Sequence, residues 1–573
     1  MEELLFVFGH DSFKAPALNT LSRVFELRDF VERAAQSNKT RPILAVIEEL
    51  RWSITMDPAA NETPVRQIVT SLLDSIAAAA ASNNTNAIRD AVSQVNAISL
   101  TLGDYRSALE KKLREYVPSG KEKAKIANLA ASYVVQLENE GFSKRFLHYQ
   151  VETVLTNRFD RRKPIVCEAT LQDFFNSFSG SVRKFNVFFR ASEDVVSLTL
   201  ASPFEKVEVS DRPNQHRYIE DPQLPQLVLL RDVEARDPIS ARDKAFELVR
   251  TVSAVSKYFS HGLELQTGSK FIVKDAATGD ELVVKPPVSA MLRGTEKQTK
   301  EITEKQSAEL STGMNRLSQA SRRFLFNALQ YHKEALDSQS LENQLVDLWA
   351  AIEGFVPQPS DDRPRLNHYL DSILPTLGLV YPEKIFGYLG NALFHSSADI
   401  RNKISSLNVS GSFAVKSTAL ILCPEFKTEC DEVCGLLDSH PLLRYRMFRS
   451  YEAFSSPERI SKTLVSHNKK LEWHLSRVYN TRNTIMHSAT ALPYLETLVE
   501  NLHSYVDILL STTVHIAANS ARGTSIKSIL NLTREYEKFH REMLASSMRD
   551  GTTIKADNFA SLVFGSGNPI CRI

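Results

Sequence analysis

The sequence predicts an α-rich, multidomain protein, helical at both ends with a small α+β module in the middle. Three observations predict it. The 573 residues amount to three or four domains at roughly 100–200 residues each. Hydrophobic residues (43%), charged residues (24%) and aromatics (9%) sit near the globular average, which excludes a largely disordered chain. The apolar pattern also changes period twice along the chain, from helical spacing to short β-rich runs and back.

Residues 1–160 form the N-terminal helical region. Leu18, Leu21, Phe25 and the run from Leu27 to Val31 recur at helical spacing, and VRQIVTSLLDSIAAAAAS is rich in strong helix formers. Asn83-Asn84-Thr85-Asn86 and Pro118-Ser119-Gly120 break this region into separate helices. Residues 161–293 make the α+β module. KFNVFFRA, EKVEVS, QLVLLR, SKFIV and ELVVK read as strands, and ISARDKAFELVRTVSAVSKYF as one helix among them. Residues 294–310 are polar and read as a linker or a solvated helical connection. Residues 311–550 are helical again, with Leu341, Leu345, Leu348, Ile352 and Val356 on one face and Leu495, Leu498, Leu502, Tyr505 and Leu509 on another. A stretch at about 357–440, rich in Pro and Gly, reads as irregular. Residues 551–573 read as a frayed C-terminal tail.

Lys+Arg (69) nearly balances Asp+Glu (68), so any nucleic-acid contact requires a local basic patch rather than a bulk field. Five cysteines are too few, and odd in number, for a disulfide framework, which points to a reducing cytoplasm. The N-terminal MEELLFVFGHD lacks a basic flank and is not read as a signal peptide. No run approaches the roughly 18 apolar residues of a membrane span, so no membrane partner is expected.

The most informative segment is LEWHLSRVYNTRNTIMHSA, residues 471–489. Leu471, Leu475, Val478, Arg482 and Ile485 advance by helical steps, placing Arg482 at the margin of a packed face. Asn483 and His487, four apart, share nearly one side, whereas Arg482 and His487 diverge by about 140°. By itself this pattern also suits an Arg and a His hydrogen-bonded inside a helix bundle. Looser Arg-to-His copies occur at Arg363–His368, where Pro364 marks a loop or helix start, and at Arg534–His540, on a charged helix that reads as solvated.

The Arg-Asn-x-x-x-His segment resembles the signature of HEPN superfamily ribonucleases (higher eukaryotes and prokaryotes nucleotide-binding). Upstream, LENQLVDLWAAIEGF (341–355) is similar to the Trp-x-x-x-Glu helix of the abortive-infection, ApeA-like branch, with Trp349 and Glu353 at the matching places. The resemblance covers about 320–520. It implies a HEPN-like helical bundle and a metal-independent endoribonuclease that needs no cofactor. It makes Arg482, His487 and Asn483 catalytic and Glu353 and Tyr479 supporting. It also implies RNA as the partner, a homodimer with a composite site, and a role in antiviral abortive infection, for which a phage-derived trigger or regulatory partner would remain to be identified. The alternative is a non-catalytic HEPN-like scaffold for dimerisation or for nucleotide or RNA binding. The N-terminal regions would sense, restrain or position the substrate.

The residue types suit such chemistry. RNA carries its own nucleophile, the 2′-OH. Imidazole can take or give a proton near neutral pH, and a guanidinium can meet a phosphorane-like charge with two hydrogen bonds. Asn483 would orient His487 or bind a phosphate oxygen. Trp473, Tyr479 and Met486 flank the motif as candidates for a dimer interface.

Residues 441–470 hold seven Lys/Arg against two acids, with Tyr445, Phe448, Tyr451 and Phe454 interleaved. Arg444, Arg446, Lys469 and Lys470, with Arg477 beyond them, are the candidate RNA-binding cations. An ordinary helix with a charged outer face reads equally well. Glu353 is either a partner for Arg482 or a residue at a helix margin. Cys423, Cys430, Cys434 and His440 lack a C-x2-C knuckle and read as free thiols rather than a zinc site. No metal ligand set is assigned, and His474 and His503 default to structural roles. No P-loop, G-x-S-x-G elbow or H-E-x-x-H motif occurs.

Overall fold

The computed structural model describes residues 18–37, 40–82, 84–155, 168–178, 180–193, 207–210, 226–259, 266–287, 300–358, 364–438, 440–488 and 494–570, with a few isolated positions besides. The N-terminal helices are α1 (Thr20–Ser37), α2 (Arg41–Met56), α3 (Thr63–Ser82), α4 (Thr85–Leu102), α5 (Tyr105–Tyr116), α6 (Lys123–Asn139), α7 (Lys144–Gln150) and α8 (Glu168–Asn176). Local chemistry sets their starts. Asn84 accepts from the N–H groups of Asn86 and Ala87, Asp104 from that of Ser107, and Ser143 from that of Phe146. Helices α1–α4 enclose one core around Val24, Leu50, Leu73 and Val95. A second core gathers Leu109, Tyr133, Phe174 and Phe178. Helix α8 lies beyond residue 160, yet its Leu171, Phe174 and Phe175 pack in this second core. The N-terminal unit therefore extends past the expected boundary.

The middle module is an antiparallel sheet of β1 (Arg183–Ala191), β2 (Val207–Ser210), β3 (Gln226–Ala235), β4 (Thr267–Asp275) and β5 (Glu281–Val284), in the order β2-β3-β1-β4-β5. Helix α9 (Pro238–Phe259) covers one face, burying Ile239, Ala245 and Val249 against Phe185, Phe189 and Phe271. Alternation along the middle of β1 turns Phe185, Val187 and Phe189 to this helix-covered face, and a smaller cluster of Leu227, Ile272 and Phe188 is separate from it.

The C-terminal part is helical: α10 (Lys300–Arg316), α11 (Gln319–Asp337), α12 (Leu341–Phe355), α13 (Arg365–Ser396), α14 (Ala398–Ser405), α15 (Phe413–Leu422), α16 (Lys427–Leu436), α17 (Pro441–Phe454), α18 (Pro457–Ser488), α19 (Leu495–Ala518), α20 (Ile526–Arg549) and α21 (Phe559–Phe564). The polar segment read as a linker is helical from Lys300, and α10 rests Leu310 and Met314 on the main core. Two cores share three helices. The first half of α13, the second half of α18, and α11, α12, α19 and the start of α20 build one. The second half of α13, the start of α18, the end of α20, and α14–α17 with α21 build the other. Glycine permits the close approach of α13 to its neighbours. A Cβ at Gly378 would lie 2.6 Å from Asn468 Oδ1, and one at Gly390 2.9 Å from Ala414 Cα.

Two sequence expectations are corrected here. The stretch 357–440 is mostly helical rather than irregular, because α13 is buried on most sides and its two prolines are accommodated within the helix. The supposed tail contributes α21, whose Phe559, Leu562, Val563 and Phe564 are buried. Among the described residues no helix is long and apolar enough to cross a membrane.

Candidate active site

Helix α18 carries two functional stripes. Leu471, Leu475 and Val478 point into the main core and anchor the helix there. Arg482 continues that stripe at the core's edge, with 27% of its side chain exposed. Its Nη2 donates to Glu353 Oε2 at 3.4 Å, and its Nη1 donates to Asn483 Oδ1 at 3.1 Å. Helix α12 supplies Glu353 one turn after Trp349. The Trp349 indole N–H donates to Glu353 Oε1 at 3.0 Å, so the two carboxylate oxygens have separate tasks. Trp349 is fully buried and meets the rings of Tyr479 at 5.6 Å and Tyr369 at 6.0 Å, edge to face. Burial, and next the Glu353 charge, push the Tyr369 hydroxyl above its ordinary pKa.

The guanidinium is thus positioned but weakly committed. Arg482 Nε is sealed from solvent without a hydrogen bond, and its bond to the Glu353 carboxylate is long at 3.4 Å. Such a group has donors in reserve for an anion. Of the predicted catalytic set, the structure brings together Arg482, Asn483, Glu353 and Tyr479. It places His487 on the same helix, one turn beyond Asn483. The His487 side chain lies outside the described residues.

The second stripe was not foreseen. Trp473, Arg477 and Thr484 fall within about 40° of one another around α18, and all three meet the N-terminal helices. Trp473 packs on Trp52, ring centroids 5.5 Å apart, and its indole N–H donates to Glu48. Arg477 donates from Nε and Nη2 to the two oxygens of Glu26, both at 2.8 Å, and also to Glu49. Arg23 donates to the other oxygen of Glu49 at 2.9 Å. Burial alone would push the Glu49 carboxyl up, but the Arg477 and Arg23 charges outweigh it and hold its pKa well below the ordinary range. Arg33 donates to the Thr484 hydroxyl at 2.6 Å, between Asn483 and His487 in sequence. A polar-aromatic repeat beside the apolar repeat of α18 was the available signal.

Several expected roles change accordingly. Arg477 is not an RNA-binding cation: its side chain is 4% exposed and neutralised by two carboxylates. Trp473 is buried on Trp52 and so is not a free dimer surface; Tyr479 packs half-buried on Trp349, and Met486 is 58% exposed. The basic stretch is divided. Lys469 pairs with Glu48 and Glu472, and Lys470 lies over the Trp52 ring, both toward α2. Arg444 and Arg446 stand on α17, which belongs to the other core, and Arg444 pairs with Asp438. Phe454 is buried, whereas Tyr445 and Tyr451 are exposed.

The histidines of the other two Arg-to-His copies are placed differently from one another. His368 shares a hydrogen bond with the Pro357 carbonyl at 2.7 Å, and Arg363 lies outside the described residues. His540 is buried rather than solvated, facing the Leu562 carbonyl at 2.8 Å, and burial lowers its pKa. Cys423, Cys430 and Cys434 are free thiols. His474 is buried, its pKa pushed down to about 3 by burial and then by Arg477. His503, also buried, meets His332 and Asp507.

No family model matches the chain, and neither the curated proteins nor the solved structures yield a match.

Proposed function

We propose that the chain is a HEPN-type endoribonuclease, with Arg482 and His487 as its catalytic residues. One observation carries the reading. Arg482, half-exposed at the core's edge, is held by the Trp349–Glu353 relay from α12, with unmatched donor capacity and on the same helix as His487. That is the arrangement an anionic phosphorane requires of its partner.

In the proposed reaction the ribose 2′-OH attacks the adjacent phosphorus and loses its proton to a general base. The P–O5′ bond breaks as a general acid protonates the leaving oxygen. The products are a 2′,3′-cyclic phosphate and a free 5′-OH. His487 serves in one of the two proton transfers, and Arg482 meets the charge that develops on the phosphoryl oxygens. Asn483, bonded to Arg482, orients His487 or a phosphate oxygen. Arg482 and His487 diverge by about 140° on their helix, so one copy supplies acid and base in line only with difficulty. A two-fold-related second chain supplies the other group in this reading, with Met486 at the shared surface. The biological role we assign, an antiviral abortive-infection effector, rests on analogy at the level of the family.

The N-terminal helices act as a restraint on α18. They seat Glu26 and Glu49 on Arg477 and Arg33 on Thr484, within the segment that carries the catalytic residues.

Incubation of the purified full chain with RNA tests the proposal. The expected result is 2′,3′-cyclic phosphate ends, lost in His487→Ala. Activity persists in EDTA at temperatures where the chain stays folded, and in His368→Ala and His540→Ala proteins that remain folded. A folded, RNA-binding chain that leaves RNA intact would instead support the scaffold reading, in which Arg482–Glu353 is a structural ion pair.

A further inference from the structure

We propose that His332, His503 and Asp507 form a site for a divalent transition metal of the zinc class, which staples α11 to α19. The three side chains come from two helices: His332 from α11, and His503 and Asp507 one turn apart on α19. One potential ligand atom from each lies within 4.8 Å of the other two.

The details of the geometry favour a shared cation over ordinary hydrogen bonding. His332 Nε2 stands 3.0 Å from Asp507 Oδ1, and His503 Nε2 stands 3.6 Å from Asp507 Oδ2. Tetrahedral zinc, with ligand bonds of about 2.0–2.2 Å, requires ligand atoms about 3.3 Å apart, and each imidazole nitrogen stands near that distance from one or the other oxygen of Asp507. His332 Nε2 is sealed from solvent, and at 3.0 Å it still makes no hydrogen bond of acceptable direction. A nitrogen this near a carboxylate oxygen without aiming at it is oriented toward a third point. The two imidazoles are already stacked, centroids 5.0 Å apart and 18° from parallel, so little ordering is left for binding.

The ligand chemistry selects the class of metal. Two imidazole nitrogens and one carboxylate suit zinc and its neighbours, whereas magnesium and calcium favour oxygen throughout. His503 is buried and His332 half-buried, while the Asp507 side chain is 48% exposed. The set is therefore open on the carboxylate side, where water can complete four-coordination. Its place in the fold gives it a use. Helices α11 and α19 both pack against α12, the helix that carries Trp349 and Glu353, so a metal joining them would stiffen the support of Arg482.

The test uses the full chain stripped of metal by chelator and then freed of the chelator. Zinc is titrated calorimetrically, and cobalt(II) serves as a spectroscopic probe. The expected result is one equivalent per chain, a tetrahedral cobalt spectrum without thiolate charge-transfer bands, and a rise of about 2–4 °C or more in the zinc-loaded melting midpoint. Asp507→Asn, a substitution at an exposed position, loses that equivalent and the thermal shift while keeping its circular dichroism, and so does His332→Gln. Absence of zinc binding by folded wild-type chain would overturn the proposal. So would unchanged binding in folded Asp507→Asn, or cobalt–thiolate bands that place the ion among the cysteines. None of these readouts uses RNA cleavage, so the outcome is separate from that of the ribonuclease assay.

Discussion

Arg477 and Arg482 leave one helix five residues apart, yet their guanidiniums sit in different media. Arg477 is buried where the N-terminal helices cover α18. With Arg23 it forms a balanced set of two guanidiniums and two carboxylates, from Glu26 and Glu49. Arg482 lies at the open edge of the main core, with one long bond to a carboxylate and one to its neighbouring amide. Buried charges demand full pairing, because an uncompensated one costs several kcal/mol. A half-exposed charge tolerates incomplete pairing, since water screens it. The comparison teaches that the better-paired arginine is a fastening, whereas the less satisfied one keeps donors free, as the proposed reaction requires of Arg482.

Exchanging the two roles should fail, and the largest effects test this. Arg482→Ala is expected to slow RNA cleavage by about 10²–10³, and His487→Ala by about 10²–10⁴. Urea-unfolding midpoints should stay near wild type. Arg477→Ala should do the reverse, destabilising the docking of the N-terminal helices by about 3–5 kcal/mol. If Arg477→Ala unfolds no more readily than wild type, the contrast drawn between the two arginines is wrong.

Acid should weaken the buried set. The Glu49 carboxyl is held at about 2, below its ordinary value of 4.5. A depressed pKa contributes stability that is complete above 4.5 and fades as pH falls toward 2. The contribution is on the order of 3 kcal/mol. Melting followed from pH 6 down to about pH 2 should show this loss in wild type and a shallower slope in Glu49→Gln, which starts less stable at neutral pH. A parallel slope in the two proteins would remove Glu49 from the explanation.

Glu353→Gln sharpens the other half of the comparison. The amide oxygen can still accept from Trp349, but the charge facing Arg482 is gone. A fall of about fivefold in kcat, equivalent to about 1 kcal/mol, is expected, with KM and stability little changed. A loss as large as that in Arg482→Ala would make Glu353 a direct participant instead.

The smallest effect belongs to Arg33→Ala. This exposed contact with Thr484 should alter stability by no more than about 0.5 kcal/mol. A modest rise in cleavage would mark the N-terminal helices as a restraint, whereas unchanged cleavage would leave them as scaffold only.

The sequence signals behind these features were unequal. All five strands and the helix among them were legible, because period-2 runs bounded by turn residues are a local signal. The helices between 365 and 436 were not. Pro375, Pro382 and Gly378 read as breakers, and a helix shared between two cores has little polar face to betray its period. The FASLVF turn of α21 was too short to carry a pattern of its own. Within the site, the Trp349–Glu353 helix and the Arg482–Asn483 pair were both visible, and pairing with Arg482 was one of two readings of Glu353. The grouping of His332, His503 and Asp507 was not read from the sequence: His503 and Asp507 are one helical turn apart, but His332 comes from a different helix.

By itself, then, the sequence determined where the five strands and the strongly periodic helices form, which of their faces are apolar, and that an Arg-Asn-x-x-x-His segment lies on an amphipathic helix. Those properties depend on neighbours within a few residues, and periodicity records them. Which arginine of that helix is buried was decided only by tertiary structure. The carboxylates that neutralise Arg477 come from Glu26 and Glu49, separated from it by 451 and 428 residues. Periodicity shows that a face will be covered; it carries no record of which distant side chains cover it, and burial and pairing depend on those side chains.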